Sequence, residues 1–194
     1  MPSKKEIARK LFHLPGLLFL FAAQYHRWLS VSALLALTFF YGLSCFLENR
    51  NGKGLPGIAA LTHRLKREGK WDFGPPLLAV GIALSLILFP YRAAACGILL
   101  VCIADGAASV AGKYWGRRKL FYSPQKSYWG SFAFLSAAFF VLIVFLPWKT
   151  ALPLAFAGTL LESLPFGAWD NLIIPLGVAG LYQVLGRLSV FSAG

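Results

Sequence analysis

Long apolar runs separated by short polar breaks organise this chain. After a head from Met1 to Lys10, the first run goes from Phe12 to Trp28 and the second from Leu29 to Leu47, with only His26-Arg27 to turn the chain between them. A polar stretch from Glu48 to Gly74 follows, opening on Gly52, Gly54, Pro56 and Gly57. Further runs cover Pro75 to Phe89, Ala93 to Gly112, Trp129 to Leu146, Thr150 to Leu164 and Leu172 to Leu188. Each has a length that crosses the hydrocarbon core of a bilayer as a helix, roughly 15–20 residues at 1.5 Å per residue. The pattern predicts an all-α, polytopic transmembrane helical bundle of about seven spans, forming one domain over residues 1–194. Lys113 to Tyr128 is expected to be a basic loop. No repeat or low-complexity tract interrupts the pattern, and the apolar start lacks a small-residue cleavage site, so it is expected to be retained.

Composition sharpens this picture. The chain is 58% hydrophobic and only 13% charged, with a mean hydropathy of +0.65. A soluble domain carries about twice that charge. The net charge of +12 does not indicate nucleic-acid binding, because the basic residues lie between apolar runs and not on a domain of their own. Instead they orient the bundle. With the amino terminus cytoplasmic, the inner segments hold fifteen of the Lys and Arg residues, and the outer ones only Arg27, Arg92, Lys149 and Arg187. An odd span count then leaves the carboxyl terminus outside. Cys45, Cys96 and Cys102 lie in apolar runs without metal-ligand spacing, as small buried residues do.

The same orientation gathers the scarce polar groups of the runs on one face. Asp105 lies inside the fourth run, eight residues and about 12 Å along a helix before Lys113. An acid at that depth is costly and marks either a site or an ion pair within the bundle. Gly106, Ala107, Ala108, Ser109, Ala111 and Gly112 follow it, a run suited both to close helix packing and to ligand approach. Lys113 and Arg117 adjoin Gly112 and Gly116 and can clamp phosphate, whereas Arg118 and Lys119 equally suit anionic lipid heads. Lys126-Ser127 imitates the end of a P-loop, but Leu120 and Gln125 stand where its glycines belong, so no soluble-type nucleotide fold is expected. Glu162 and Asp170-Asn171 supply oxygen ligands for a hard cation such as Mg²⁺, and Asp170 also suits a helix cap. In the head, Glu6, Arg9, Lys10 and His13 share one helical face. The residues alone thus indicate a cytoplasm-facing, Mg²⁺-assisted phosphate site open to the bilayer.

These stretches together resemble the membrane family of CTP-dependent lipid-alcohol kinases, which includes phytol kinase, dolichol kinase and the CTP-using diacylglycerol kinase. The head Glu6 to His13, the run Asp105 to Gly116, the element Lys126-Ser127-Tyr128-Trp129-Gly130-Ser131 and the pair of elements at Glu162-Leu164-Pro165 and Asp170-Asn171-Leu172-Pro175 carry the likeness in order. Trp129 stands where phosphatidate cytidylyltransferases carry an acid, and their long acidic carboxy-terminal signature is missing. The resemblance implies transfer of the γ-phosphoryl of CTP to a lipid alcohol. Asp105, Glu162 and Asp170 would serve Mg²⁺ or the hydroxyl proton, and Asn171 would assist the metal. Lys113, Arg117, Lys126, Ser127, Gly130, Ser131, Arg9, Lys10 and His13 would bind nucleotide phosphates. A cytidylyltransferase and a transporter with a coupling acid are the alternatives. The default location is a bacterial inner membrane, with a plastid or endoplasmic reticulum membrane as the other choice.

Overall fold

A computed structural model describes residues 13–58 and 73–192, the side chains through Arg187. Helix α1 (Pro15–Asn51) begins on a proline, whose missing N–H costs nothing in a first turn. It breaks at His26, where φ is −135° and ψ is 68°. At the break, Arg27 donates from Nη2 to the carbonyls of Ile87 and Phe89, at 3.2 and 2.9 Å. Those carbonyls close the far end of helix α2 (Gly74–Leu88). Farther along, Leu34, Thr38 and Tyr41 face Pro75 and Leu78 near the start of α2, across the same cavity as His13 and Phe19. The break therefore folds α1 into a helical hairpin, as the two apolar runs and their short turn predict.

Helix α3 (Tyr91–Leu99) passes through a π-helical turn (Leu100–Ala104) into α4 (Asp105–Tyr114). This composite rod is the centre of the bundle: Ala93, Ala94, Cys96, Ile98, Leu100, Val101 and Ala104 are fully buried. Helices α5 (Tyr128–Ile143), α6 (Trp148–Ser163) and α7 (Asp170–Ser192) pack round it in sequence, and α7 closes against α2 and α3. The closure is tight. A Cβ at Gly97 would collide with the Pro175 backbone, and one at Gly81 with the carbonyl of Asn171.

The rods fall on the apolar runs. Among the described residues, Pro15–Asn51 and Tyr91–Tyr114 are long and apolar enough to cross a membrane, while Gly74–Leu88 and Tyr128–Ile143 are shorter apolar helices. The outer surface carries many large apolar side chains, with Phe21, Leu29, Phe39, Phe132, Phe140 and Val144 all more than half exposed.

One prediction fails. The segment expected as a basic loop contains an antiparallel hairpin, β1 (Lys119–Leu120) with β2 (Ser123–Ser127), pairing Lys119 with Ser127 and Leu120 with Ser123 around an irregularity. The Tyr122 hydroxyl ties it to α6 by donating to Ser163 Oγ at 2.9 Å.

Candidate active site at one end of the bundle

The hairpin delivers Lys126 to the acids. Its ammonium donates to Glu162 Oε1 at 2.9 Å and to Asp170 Oδ2 at 2.6 Å. Glu162 stands near the carboxyl end of α6, where the helix dipole opposes a negative charge. Asp170 stands at the amino end of α7, just before its apolar stretch, where the dipole favours one. Burial drives the Asp170 carboxyl up, to about 6, although Lys126 pulls it the other way. Burial also works against the Lys126 charge, but the two carboxylates outweigh it and hold the ammonium above its ordinary value. Ser131 Oγ adds a long bond to Glu162 Oε2, at 3.4 Å.

Asp105 faces the same space from α4 and is 4% exposed. The π turn sets its direction: the Asp105 N–H reaches back five residues to the Leu100 carbonyl. Such turns recur at functional sites. His13 lies beside it, with Nδ1 3.3 Å from the Val101 carbonyl and 3.6 Å from Asp105 Oδ2. Both neighbours are acceptors, which places the proton of a neutral ring on Nδ1. Asn171 Nδ2 donates to the Gly74 carbonyl at 3.0 Å, pinning the start of α2 to the start of α7.

A cavity of about 660 Å³ joins these groups. Of the residues singled out in the sequence, Asp105, Glu162, Asp170, Asn171, Lys113, Lys126, Ser127, Gly130 and His13 line it. Arg117 is exposed and off the cavity, because the turn after α4 carries it outward. Ser131 reaches it only through Glu162. Arg9, Lys10 and Glu6 lie outside the described residues. Lys119, read as equally suited to lipid heads, lines the cavity, as does Gln125; the hairpin that turns both inward has no apolar alternation to announce it.

Two assignments change. The Gly130 N–H was expected to meet phosphate, but it donates to Ser127 Oγ at 3.1 Å, the cap of α5. Gly112, Gly116 and Gly130 crowd around that hydroxyl, and a Cβ on Gly116 would strike it and the Gly112 carbonyl. These glycines serve close packing. The expected cation set of Asp105, Glu162 and Asp170 is also divided. Among the described residues no three His, Cys, Asp or Glu side chains converge on one point, because the Lys126 ammonium occupies the place between Glu162 and Asp170. Asp170 Oδ1, in contrast, is buried without a hydrogen-bond partner. A small hard cation that takes one or two carboxylates and completes its shell with phosphate oxygens fits that arrangement.

Comparison with known proteins bears on the likeness. No protein-family model and no solved structure matches. A phytol kinase of the cyanobacterium Synechocystis is 34% identical over 161 residues, 67% of this chain and 66% of that protein. A probable chloroplastic phytol kinase 1 of Glycine max is 31% identical over 194 residues, and phytol kinase 1 of Arabidopsis thaliana 27% over 201. These alignments take in 88% and 89% of this chain and 64% of each plant protein. The chain thus spans just under two thirds of the length of the relatives it matches. On these matches, the chain is a homologue of proteins named phytol kinase, which supports its likeness to the lipid-alcohol kinases.

Proposed function

We propose that this protein is a membrane lipid kinase that transfers the γ-phosphoryl group of CTP to the hydroxyl of a lipid alcohol at the cytoplasmic face. One observation carries the reading: a single cavity holds buried acids and lysines at one end and continues between apolar helices at the other. The likeness to phytol kinases gives that geometry a reaction. The apolar outer surface supports insertion of the seven rods as spans, and the distribution of Lys and Arg supports a cytoplasmic amino terminus.

The two sides of the site divide the work. The hairpin side, with Lys113, Lys119 and Lys126, offers cations to a nucleotide arriving from water. The helix side, with α1 and α2, meets the alcohol. Asp105 stands between them with His13 at its side, so it takes the hydroxyl proton as the alcohol oxygen bonds to the γ-phosphorus. The bond from that phosphorus to the β–γ bridging oxygen breaks, and the nucleoside diphosphate leaves with the electron pair. Asp170, through Oδ1, would hold Mg²⁺ with the phosphate oxygens, and Asn171 stands beside it. The ion would neutralise phosphate charge, the main electrostatic need of phosphoryl transfer.

The test is a product assay on purified protein in detergent with Mg²⁺, labelled CTP or ATP, and phytol, a long polyprenol or diacylglycerol. Release of CDP with a phosphorylated lipid is expected, and Asp105→Asn should abolish it while the protein still folds and inserts. Near-normal turnover in that variant removes Asp105 from the chemistry. Release of pyrophosphate would make the protein a cytidylyltransferase.

A further inference from the structure

Part of the hairpin and of the turn before it has no role in the site. The inward groups are occupied: Leu120, Ser123 and Ser127 are buried, Lys119, Gln125 and Lys126 line the cavity, and Tyr122 is tied to Ser163. What remains outside is basic and aromatic. Arg117 and Arg118 are exposed, and among the described residues neither guanidinium has an acid or a carbonyl for a partner. The surrounding chain offers none, since Gly106 to Leu161 contains no Asp or Glu. Phe121, at the hairpin tip, is 90% exposed, more than any other large apolar side chain among the described residues. Its ring meets that of Tyr122 edge-on, with centroids 4.8 Å apart. Trp115, just past α4, and Trp129, in the first turn of α5, are also more than half exposed. Tryptophan at helix ends beside arginine is the composition of a bilayer–water interface.

We propose that this surface docks on anionic lipid headgroups, with Arg117 and Arg118 on the lipid phosphates and Phe121 seated where headgroups meet acyl chains. The inference rests on the membrane placement proposed above, and not on the kinase chemistry. Guanidinium forks match phosphate oxygens, and an aromatic ring beside them gains by burial at the acyl boundary. A phospholipid offers both partners. A free nucleotide offers only the first, and Lys113 and Lys119 already await it in the cavity. Arg118 and Phe121 are three residues apart, no more than about 10 Å of extended chain, so one lipid surface reaches both. The docking holds the hairpin from outside, as the bond from Tyr122 to Ser163 holds it from within. It therefore steadies the strand that carries Lys126.

The reporter is Phe121→Trp, at a position exposed enough that folding is not at stake. This variant and the wild type are placed in phosphatidylcholine nanodiscs that carry brominated phosphatidylcholine or, at the same fraction, brominated phosphatidylglycerol. The added emission is the difference between the two proteins. It should lie to the blue of indole in water and be quenched more by the brominated phosphatidylglycerol. Adding Arg117→Gln and Arg118→Gln should lower that preference about fivefold in relative affinity for each arginine, whereas Arg117→Lys with Arg118→Lys should keep the larger part. Emission typical of indole in water, quenched by neither lipid, leaves the tip in solvent or against a protein and overturns the proposal. Equal quenching by the two lipids overturns it too, as does a preference that the glutamines leave intact. CTP at matched ionic strength should not displace the lipid; displacement would assign the arginines to the nucleotide instead. No arm reads turnover, so a failed kinase assay leaves the docking standing. Protein that does not enter nanodiscs overturns the membrane placement and the docking with it.

Discussion

Lys126 holds two buried carboxylates together, and its removal has a cost that the geometry sets. Glu162 Oε1 and Asp170 Oδ2 bond to one nitrogen at 2.9 and 2.6 Å, so they lie no more than 5.5 Å apart. Their side chains are 5 and 8% exposed. In Lys126→Met the two charges face each other uncompensated. At that separation and an effective dielectric constant of about 20, they repel by about 3 kcal/mol, at the lower edge of the ~3–5 kcal/mol lost when a buried pair is broken. For a chain of this size about 3 kcal/mol lowers the melting temperature by about 6–12 °C. Thermal melts followed by tryptophan fluorescence in detergent, with EDTA present, read the loss. Glu162→Gln added to Lys126→Met should restore most of it, since one charge of the repelling pair is gone. The pH dependence has a definite sign. Burial already raises Asp170 to about 6 with Lys126 in place, and without the ammonium the value climbs further. A carboxyl with a raised folded-state value loses stability as pH rises through that value. The deficit is therefore full at mildly alkaline pH and shrinks on acidification. A variant that melts with the wild type, or one that Glu162→Gln fails to rescue, would falsify the account of Lys126 as their counter-ion.

Two further substitutions test the packing around the site. Gly97→Ala drives a methyl into the Pro175 backbone and should destabilise by about 1–3 kcal/mol, lowering the melting temperature while the folded fraction keeps its kcat. Ser127→Ala removes the cap on the Gly130 N–H and should cost about 1 kcal/mol. It should also raise the nucleotide KM at constant kcat; an unchanged KM would confine Ser127 to capping.

The helices were legible because a long apolar run in this composition has few other ways to satisfy its backbone. Even the turn at His26-Arg27 shows, since Gln24, His26 and Arg27 interrupt the apolar pattern there. The acids were legible for the complementary reason: Asp105, Glu162 and Asp170 are conspicuous where charge is rare. What stayed hidden depends on contacts between distant segments. Lys126 reads as a phosphate ligand from its neighbours Ser127 and Gly130, yet its immediate partners lie 36 and 44 residues away. The hairpin carrying it has a two-residue first strand and Pro124 in its second, with no alternation to mark it. Gly112 and Gly116 suggest an open loop for phosphate, but the chain spends them on bringing α4, α5 and the Ser127 hydroxyl together.

The π turn at Leu100–Ala104 separates two duties of the central rod. In an unbroken α-helix, the face that Gly97 presses on Pro175 would also dictate, at about 100° per residue, where Asp105 points. The wider turn shifts that rotation by a fixed offset. One half of the rod then keeps Gly97 against α7 while the other presents Asp105 to the cavity. The bundle thus has an offset built into its axle, and a single turn reconciles the packing of the core with the aim of a carboxylate.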